Sequence, residues 1–372
     1  MKFSIEQEQL LQPLQTVGGI VDRRATTPIL GNFLLRLTPE SLSITGTDRE
    51  LEMIMHINID NSEPGEMTLP ARKLIDICRS LPAGSRIDIS QQGERAIIRS
   101  GRSRFTLATL PADQFPELKE PEVILEFSIT QEILKQLIDN IAFSMAAQDV
   151  RYFLNGVCLE VGSDYVRGVA TDGHRLAFCS LSTERIDTEG DHRVIVPRKA
   201  ALELTRLLDG SSSEPLRVQI GENHIRFLLA GAGTVFSSKL IDGQYPDYLQ
   251  VIPEGNRNEL IADREALLVA LRRVSILSNE KLRSVRLALG KEGVLRIAAH
   301  NQEQEEAEEE LEVRYDGVEL EIAFNVQYLI DVLQAIRSDE VRFLFGDGNS
   351  SCLVVNESED MVCRYVIMPM RL

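Results

Sequence analysis

The segment ATDGHRLA at 170–177 holds the residues most suggestive of chemistry: Asp172 and His174 have the types of an orienting carboxylate and a general base. Such a pair needs a nucleophile or metal and an oxyanion donor nearby, and nothing with motif spacing accompanies it. The five histidines, His56, His174, His192, His224 and His300, form no HxH or HExxH pattern. No GxxxxGK phosphate loop occurs, so any step driven by ATP belongs to another protein. Cys78, Cys158, Cys179, Cys352 and Cys363 are scattered and contain no CxxC pair, which argues against a disulfide framework and a zinc site and fits a reducing cytoplasm. The expectation is a chain that is not an enzyme, with no cofactor and no metal. The turn at 170–177 reads first as structural, with His174 hydrogen-bonded locally.

The elements that carry these residues are repeated. A short strand pattern followed by an amphipathic helix begins at Phe3, Phe127 and Leu260. Ile133, Leu134, Leu137, Ile138 and Ile141 keep the helical period, as do Leu267, Leu268, Leu271 and Val274, with Thr130 and Asp263 as N-caps. A β-like stretch leading into a second helix follows: TLPARKLIDICRSLPAG, IVPRKAALELTRLLDG and AFNVQYLIDVLQAIRSD. Its anchors Leu69, Val196 and Phe324 lie 66, 69 and 64 residues after the three starting points. Each copy closes on a third landmark, TLATLPADQFPEL, FSSKLIDGQYPDYL or CRYVIMPMRL. Between the landmarks run period-2 segments with Gly, Asn or Asp turns, which read as antiparallel hairpins. The fold class is therefore α+β, three tandem copies of a domain with two helices and roughly eight strands. Polar breaks near 120–126 and 253–259 give domains 1–122, 127–253 and 257–372.

The 372 residues are 43% apolar and 26% charged, a globular composition, and aromatics are only 5%, so aliphatic cores are expected. No apolar run is long enough for a membrane span and no apolar leader follows Met1. The formal net charge of −17 speaks against simple nucleic-acid binding, but much of it sits in one run, EQEEAEEELE at 303–312. The second helices of the first two copies are locally basic: Arg72, Lys73, Arg79, Arg198, Lys199 and Arg206. The first helix of the third copy adds Arg264, Arg272 and Arg273. Repeated units in a curved array must cap their ends or close. Head-to-tail closure of a homodimer has complementary material: Lys73, Arg102, Arg104, Phe105 and Leu107 in the first copy, and Ile276, Leu277, Glu303, Glu305, Glu308 and Glu309 in the third.

Together these stretches resemble one family, the bacterial sliding clamps, the beta subunit of DNA polymerase III. The resemblance covers the whole chain and rests on PILGNFLL at 28–35, TGTDRELEM at 45–53, LPARKLIDICR at 69–79, RSGRSRF at 99–105, QDVRYFLNG at 148–156, VATDGHRLA at 169–177, VIVPRK at 194–199, ILSNEK at 276–281, NQEQEEAEE at 301–309 and the terminal VIMPMRL. It implies a head-to-tail dimeric ring of the DNA clamp fold, a processivity factor encircling double-stranded DNA without reading its sequence. By resemblance Arg24, Gln148, Tyr152, Phe153 and Lys199 match positions that touch DNA. Relatives carry two adjacent tyrosines where this chain has Tyr152-Phe153, which removes one hydroxyl. The resemblance also implies a hydrophobic groove for short clamp-binding peptides, formed by Leu154, Thr171, Gly173, His174, Arg175, Leu176, Pro246, Val251, Asn325, Tyr328, Ser351, Val366, Met368, Pro369, Met370 and Arg371, with Arg175 and Arg371 holding peptide polar groups. Its clients are the replicative DNA polymerase, the ATP-driven clamp loader, other DNA polymerases and repair proteins. Gln250 stands where relatives often carry arginine, which alters one charged rim contact. The rival reading is a scaffold of this architecture that binds proteins without encircling DNA.

Overall fold

A computed structural model describes the chain except residues 23–26, 61, 121, 230–232, 280, 359 and 372. The six expected helices all form: α1 (Gln7–Gly18), α2 (Ala71–Ser80), α3 (Gln131–Asp139), α4 (Arg198–Leu207), α5 (Arg264–Ser275) and α6 (Val326–Ala335). Both expected caps operate. The Asp263 carboxylate accepts the Ala266 N–H at 2.8 Å, and Thr130 Oγ1 accepts that of Ile133 at 3.4 Å. Leu134, Leu137, Ile138 and Ile141 are buried, as are Leu267, Leu268, Leu271 and Val274. The described strands number eight, eight and nine through the three repeats.

The chain divides into two compact units. The first comprises 1–134 and 202–240. It holds a four-stranded antiparallel sheet in the order Lys2–Glu6, Arg86–Gln92, Arg95–Ser100, Ser103–Ala108. Its larger sheet has eight strands, ordered Gly65–Pro70, Asn32–Leu37, Ser41–Thr47, Leu51–Asn58, Thr234–Lys239, His224–Leu229, Pro215–Gly221, Val123–Thr130. The seam between Leu51–Asn58 and Thr234–Lys239 joins strands of two repeats in one ladder, with Met53 opposite Phe236. Helices α1 and α2 bury Leu10, Leu14 and Val17, and Ala71, Leu74 and Cys78.

The second unit comprises 135–201 and 241–372 and repeats the plan. Its small sheet runs Glu306–Glu312, Val294–His300, Ser284–Leu289, Leu320–Asn325. The large one has nine strands: His192–Pro197, Gly156–Val161, Tyr165–Thr171, Arg175–Ser182, Met361–Ile367, Cys352–Glu357, Glu340–Phe345, Asn258–Asp263 and Arg314–Asp316. Here the seam pairs Arg175–Ser182 with Met361–Ile367. Cys179 and Cys363 face each other across it and form a disulfide. That corrects the expectation of no disulfide: the two lie 184 residues apart, and only strand pairing makes them neighbours. Cys78, Cys158 and Cys352 are free and buried. Among the described residues no helix is long and apolar enough to cross a membrane.

Each small sheet ends on a strand whose outer edge has no strand partner among the described residues: Ser103–Ala108 in the first unit and Glu306–Glu312 in the second. Unpaired edges of this kind are ready templates for another strand.

One buried acid sits at the first seam. Glu52 is 4% exposed and accepts the Leu118 N–H at 3.0 Å. Burial raises its pKa to about 7 against the Leu118 hydrogen bond; Glu117 raises it further, and Arg226 and Arg36 oppose. A carboxyl whose folded pKa lies above its unfolded value contributes stability that is complete below the unfolded pKa and is lost as pH rises through the folded one. Stability is therefore expected to fall between about pH 4.5 and pH 7, and Glu52→Gln to raise it at pH 8 by about 2–3 kcal/mol at most. Denaturant melts of the two proteins at pH 5 and pH 8 check this; an equal pH dependence in both refutes it.

Candidate partner-peptide groove and cationic helices

In the second unit, the turn after Tyr165–Thr171 is built from its own side chains. Thr171 Oγ1 donates to the Arg175 carbonyl at 2.6 Å and accepts the Gly173 N–H at 3.1 Å. Asp172 Oδ1 accepts the N–H groups of His174 and Arg175 at 2.9 and 3.0 Å, and its Oδ2 takes Arg175 Nε at 3.0 Å. Gly173 has φ +88°, a conformation glycine adopts without steric cost. Both carboxylate oxygens of Asp172 thus serve the turn. This is the structural reading of ATDGHRLA.

Beside the turn lies a cavity of about 270 Å³. Ten of the sixteen residues expected for the groove line it: Leu154, Thr171, Gly173, His174, Arg175, Leu176, Pro246, Val251, Val366 and Met368. Leu154, Leu176 and Val366 are buried at its base, while Val251 and Met368 are each 42% exposed. Apolar walls with an adaptable methionine at the rim suit aliphatic or aromatic anchors of varied shape. The Met368 N–H, just past the end of its strand, donates to the His174 carbonyl at 3.0 Å.

The other six expected residues are not among those that line the cavity. Asn325 caps α6 by accepting the Gln327 N–H at 3.0 Å. Tyr328 lies under the Arg175 guanidinium, 4.5 Å from the ring centre. The Ser351 carbonyl accepts Asn256 Nδ2 at 2.8 Å, and the Met370 N–H donates to the Ala323 carbonyl at 2.8 Å. Pro369 is half-buried and Arg371 exposed. Arg175, which lines the cavity, also braces the fold. Besides Asp172, it binds Asp331 at 2.5 Å and the Phe143 carbonyl at 2.6 Å, so its donors brace the wall from behind.

Three lining residues were absent from the expected groove: Arg151, Phe153 and Tyr248. Phe153 is half-buried against the apolar cluster around Leu154, Leu176 and Tyr248, whereas its neighbour Tyr152 is 57% exposed. Adjacent aromatics read alike in sequence; a 3-10 turn at Tyr152–Leu154 sends them to different places. Tyr248 follows Pro246 in the third landmark, which is the signal that could have found it. Its hydroxyl donates to Glu160 at 2.7 Å, and Glu160 is buried and held by Arg193 at 3.1 Å and Arg167 at 3.5 Å. Burial, ahead of the Glu160 hydrogen bond, pushes the Tyr248 phenol upward, so it stays a neutral donor. A paired buried carboxylate fixes the ring as one wall.

The expected cationic residues differ in their freedom. Arg72 and Arg79 share Asp76 at 3.9 and 3.8 Å on the exposed face of α2, and Lys73 is exposed beside them. Arg206 pairs with Glu203 at 2.6 Å, while Arg198 donates to the Met145 carbonyl at 3.0 Å and Lys199 is exposed. Arg264 donates to the Leu333 and Ser338 carbonyls at 3.2 and 3.1 Å, which ties it to its own repeat. Arg272 is exposed, and Arg273 pairs with Glu309. Gln148, with φ +59°, and Tyr152 are exposed on one loop. Arg24 lies outside the described residues.

At the edges, Arg102 and Arg104 are exposed, Phe105 is half-buried and Leu107 buried. Ile276, Leu277, Glu303 and Glu305 line one hollow of about 410 Å³. Glu308 is exposed, and Glu309 is the half-buried partner of Arg273.

The chain matches three consecutive family models: DNA polymerase III beta subunit N-terminal domain at 1–119, central domain at 128–247 and C-terminal domain at 249–371. It is 51% identical to the beta sliding clamp of Pseudomonas aeruginosa and 50% identical to that of Escherichia coli K12, over 100% of each chain. Among solved structures, a Pseudomonas aeruginosa sliding clamp bound to griselimycin superposes with a TM-score of 0.95 at 50% identity, covering 100% of both chains. The Caulobacter crescentus polymerase III beta structure gives 0.91 at 37%, again over 100% of both chains. Length, repeat order and whole-chain similarity agree: the chain belongs to the DNA polymerase III beta subunit family.

Proposed function

We propose that two copies of the chain close head to tail into a ring around duplex DNA, through the outer strand Ser103–Ala108 of one and Glu306–Glu312 of the other. Family membership makes the chain a DNA sliding clamp, a non-catalytic processivity factor of replication that tethers its polymerase. The observation that carries the ring reading is the pair of open edges. One presents Arg102 and Arg104 around Phe105, and the other presents exposed Glu306, Glu308, Glu310 and Glu312. Opposite charges around an apolar centre favour this pairing over the pairing of either edge with itself.

Domains 1–122, 127–253 and 257–372 are the repeating bodies of this ring. Arg24, Arg72, Lys73, Arg79, Gln148, Tyr152, Arg198, Lys199 and Arg206 are its DNA-facing groups; Phe153 belongs with the groove. Ion pairs at Arg72, Arg79 and Arg206 soften the positive field, and exposed pairs of this kind exchange readily. Weak, sequence-blind phosphate contact lets a ring slide, while topology keeps it on the DNA. The groove at the second seam takes short peptides of the polymerase, the loader and repair proteins in the cytoplasm.

Loading onto nicked circular DNA tests the reading. The protein is expected to stay bound through a wash in high salt and to leave once the circle is cut. Simple electrostatic binding would vanish in salt and ignore DNA ends; that result would replace the ring with a scaffold.

A further inference from the structure

The first seam repeats the turn of the second. Thr47 Oγ1 donates to the Leu51 carbonyl at 2.7 Å and accepts the Arg49 N–H at 3.0 Å. Asp48 Oδ1 accepts the N–H groups of Glu50 and Leu51 at 2.9 and 2.7 Å. These are the bonds made by Thr171 and Asp172 four and three residues before their own carbonyl and amide partners. The strand entering from the other repeat docks alike: the Lys239 N–H donates to the Glu50 carbonyl at 2.9 Å, as that of Met368 does to His174. The segment Phe115-Pro116-Glu117-Leu118 stands where Tyr245-Pro246-Asp247-Tyr248 stands in the groove. A crevice of about 310 Å³ opens at this place, lined by Arg49, Pro116, Leu118, Lys119, His224 and Lys239, together with Glu117.

The two crevices share a frame and differ in chemistry. Met368 at the groove's rim is replaced by Lys239, and Gly173 by Arg49. Arg49 holds φ +77° in a turn where glycine is the relaxed residue. A side chain kept at positive φ has a conformational cost, and such outliers gather where a side chain serves a site. Among the described residues neither Arg49 nor Lys119 is paired with a carboxylate. The acids nearby offset little of this charge. Glu117 is bound by both terminal nitrogens of Arg36. Glu50 pairs with Lys239 at 3.0 Å, with both side chains exposed and open to exchange.

We propose that this first-seam crevice is a second docking site, which takes a short acidic peptide segment whose carboxylates meet Arg49 and Lys119 while an aliphatic side chain rests on Pro116 and Leu118. Size and charge spacing favour a peptide over a nucleic acid. The hollow fits side chains, and Glu117 on its lining, with Glu50 paired to the lining Lys239, repels a continuous phosphate backbone but leaves room for separated carboxylates. A client would then be held at two places on one subunit, by apolar anchors in the groove and by acidic ones here.

A fluorescein-labelled octapeptide alternating glutamate and leucine, and its glutamine-for-glutamate twin, are titrated with the full-length dimer. The acidic peptide is expected to bind at least about tenfold more tightly than the twin and to lose at least about tenfold with Arg49→Glu/Lys119→Glu. It is expected to keep its affinity when Met368–Leu372 are removed. Arg49→Gly separates charge from folding: it should weaken the peptide while leaving the melting temperature unchanged or higher, since glycine fits this turn. Absence of binding, equal binding of the twin, indifference to both substitutions, or loss on removing Met368–Leu372 each overturns the site. Full displacement by a single-stranded oligonucleotide at equal charge would make it a general anion site and overturn the peptide assignment.

Discussion

Removing Met368–Leu372 is expected to weaken binding of a polymerase's clamp-binding peptide by at least about a hundredfold while leaving the proposed dimer intact. The truncation takes away Met368, an apolar residue that lines the cavity together with Val251 and Leu176. Binding energy at such sites concentrates in a few well-packed anchors worth 2 kcal/mol or more each, so losing one wall costs more than its share of area. The fold loses little. Two backbone hydrogen bonds disappear, Met368 to His174 and Met370 to Ala323, worth about 1–3 kcal/mol together. The buried strand Met361–Ile367 and its seam remain. Fluorescence titration with a labelled peptide, beside sedimentation equilibrium, reads both effects; retained affinity in the truncated dimer would refute the groove.

The second large effect concerns the edge. Phe105→Asp is expected to raise the dimer dissociation constant by at least about a hundredfold. The substitution removes an apolar contact from the centre of the proposed strand pair and sets a carboxylate against Glu306–Glu312, a strand that already exposes four glutamates. Like charges directly opposite across a strand pair destabilise it, and a desolvated carboxylate adds its own cost. Sedimentation equilibrium measures the change. Groove-peptide affinity, which depends on the other unit, serves as the folding control. A variant that dimerises as tightly as the parent would remove the edge pairing from the ring.

Periodicity made the helices legible. Leu134, Leu137 and Ile138 sit on one side of α3 because the apolar stripe must be buried, and Thr130 and Asp263 cap their helices because the first N–H groups need acceptors. The threefold order of landmarks was equally open to reading. Of the sixteen residues that resemblance assigned to a groove, ten share one cavity. Where a side chain goes when its neighbours in space are far away in sequence was not legible. Tyr152 and Phe153 look alike, yet one is exposed and the other packs on the apolar cluster behind the groove. Arg175 has the type of a ligand-binding residue, and its links to Asp331 and the Phe143 carbonyl were equally hidden.

Local sequence by itself determined the repeating unit, its helices and its turns, because hydrogen-bond capping and the burial of apolar stripes are settled within a few residues. Pairing across the seams was decided only by the tertiary structure. It set Cys179 against Cys363, put Met368 beside His174 and Lys239 beside Glu50, and so made one crevice apolar and the other cationic. The reason is physical: strand register joins residues more than 180 positions apart, and no local propensity carries that information.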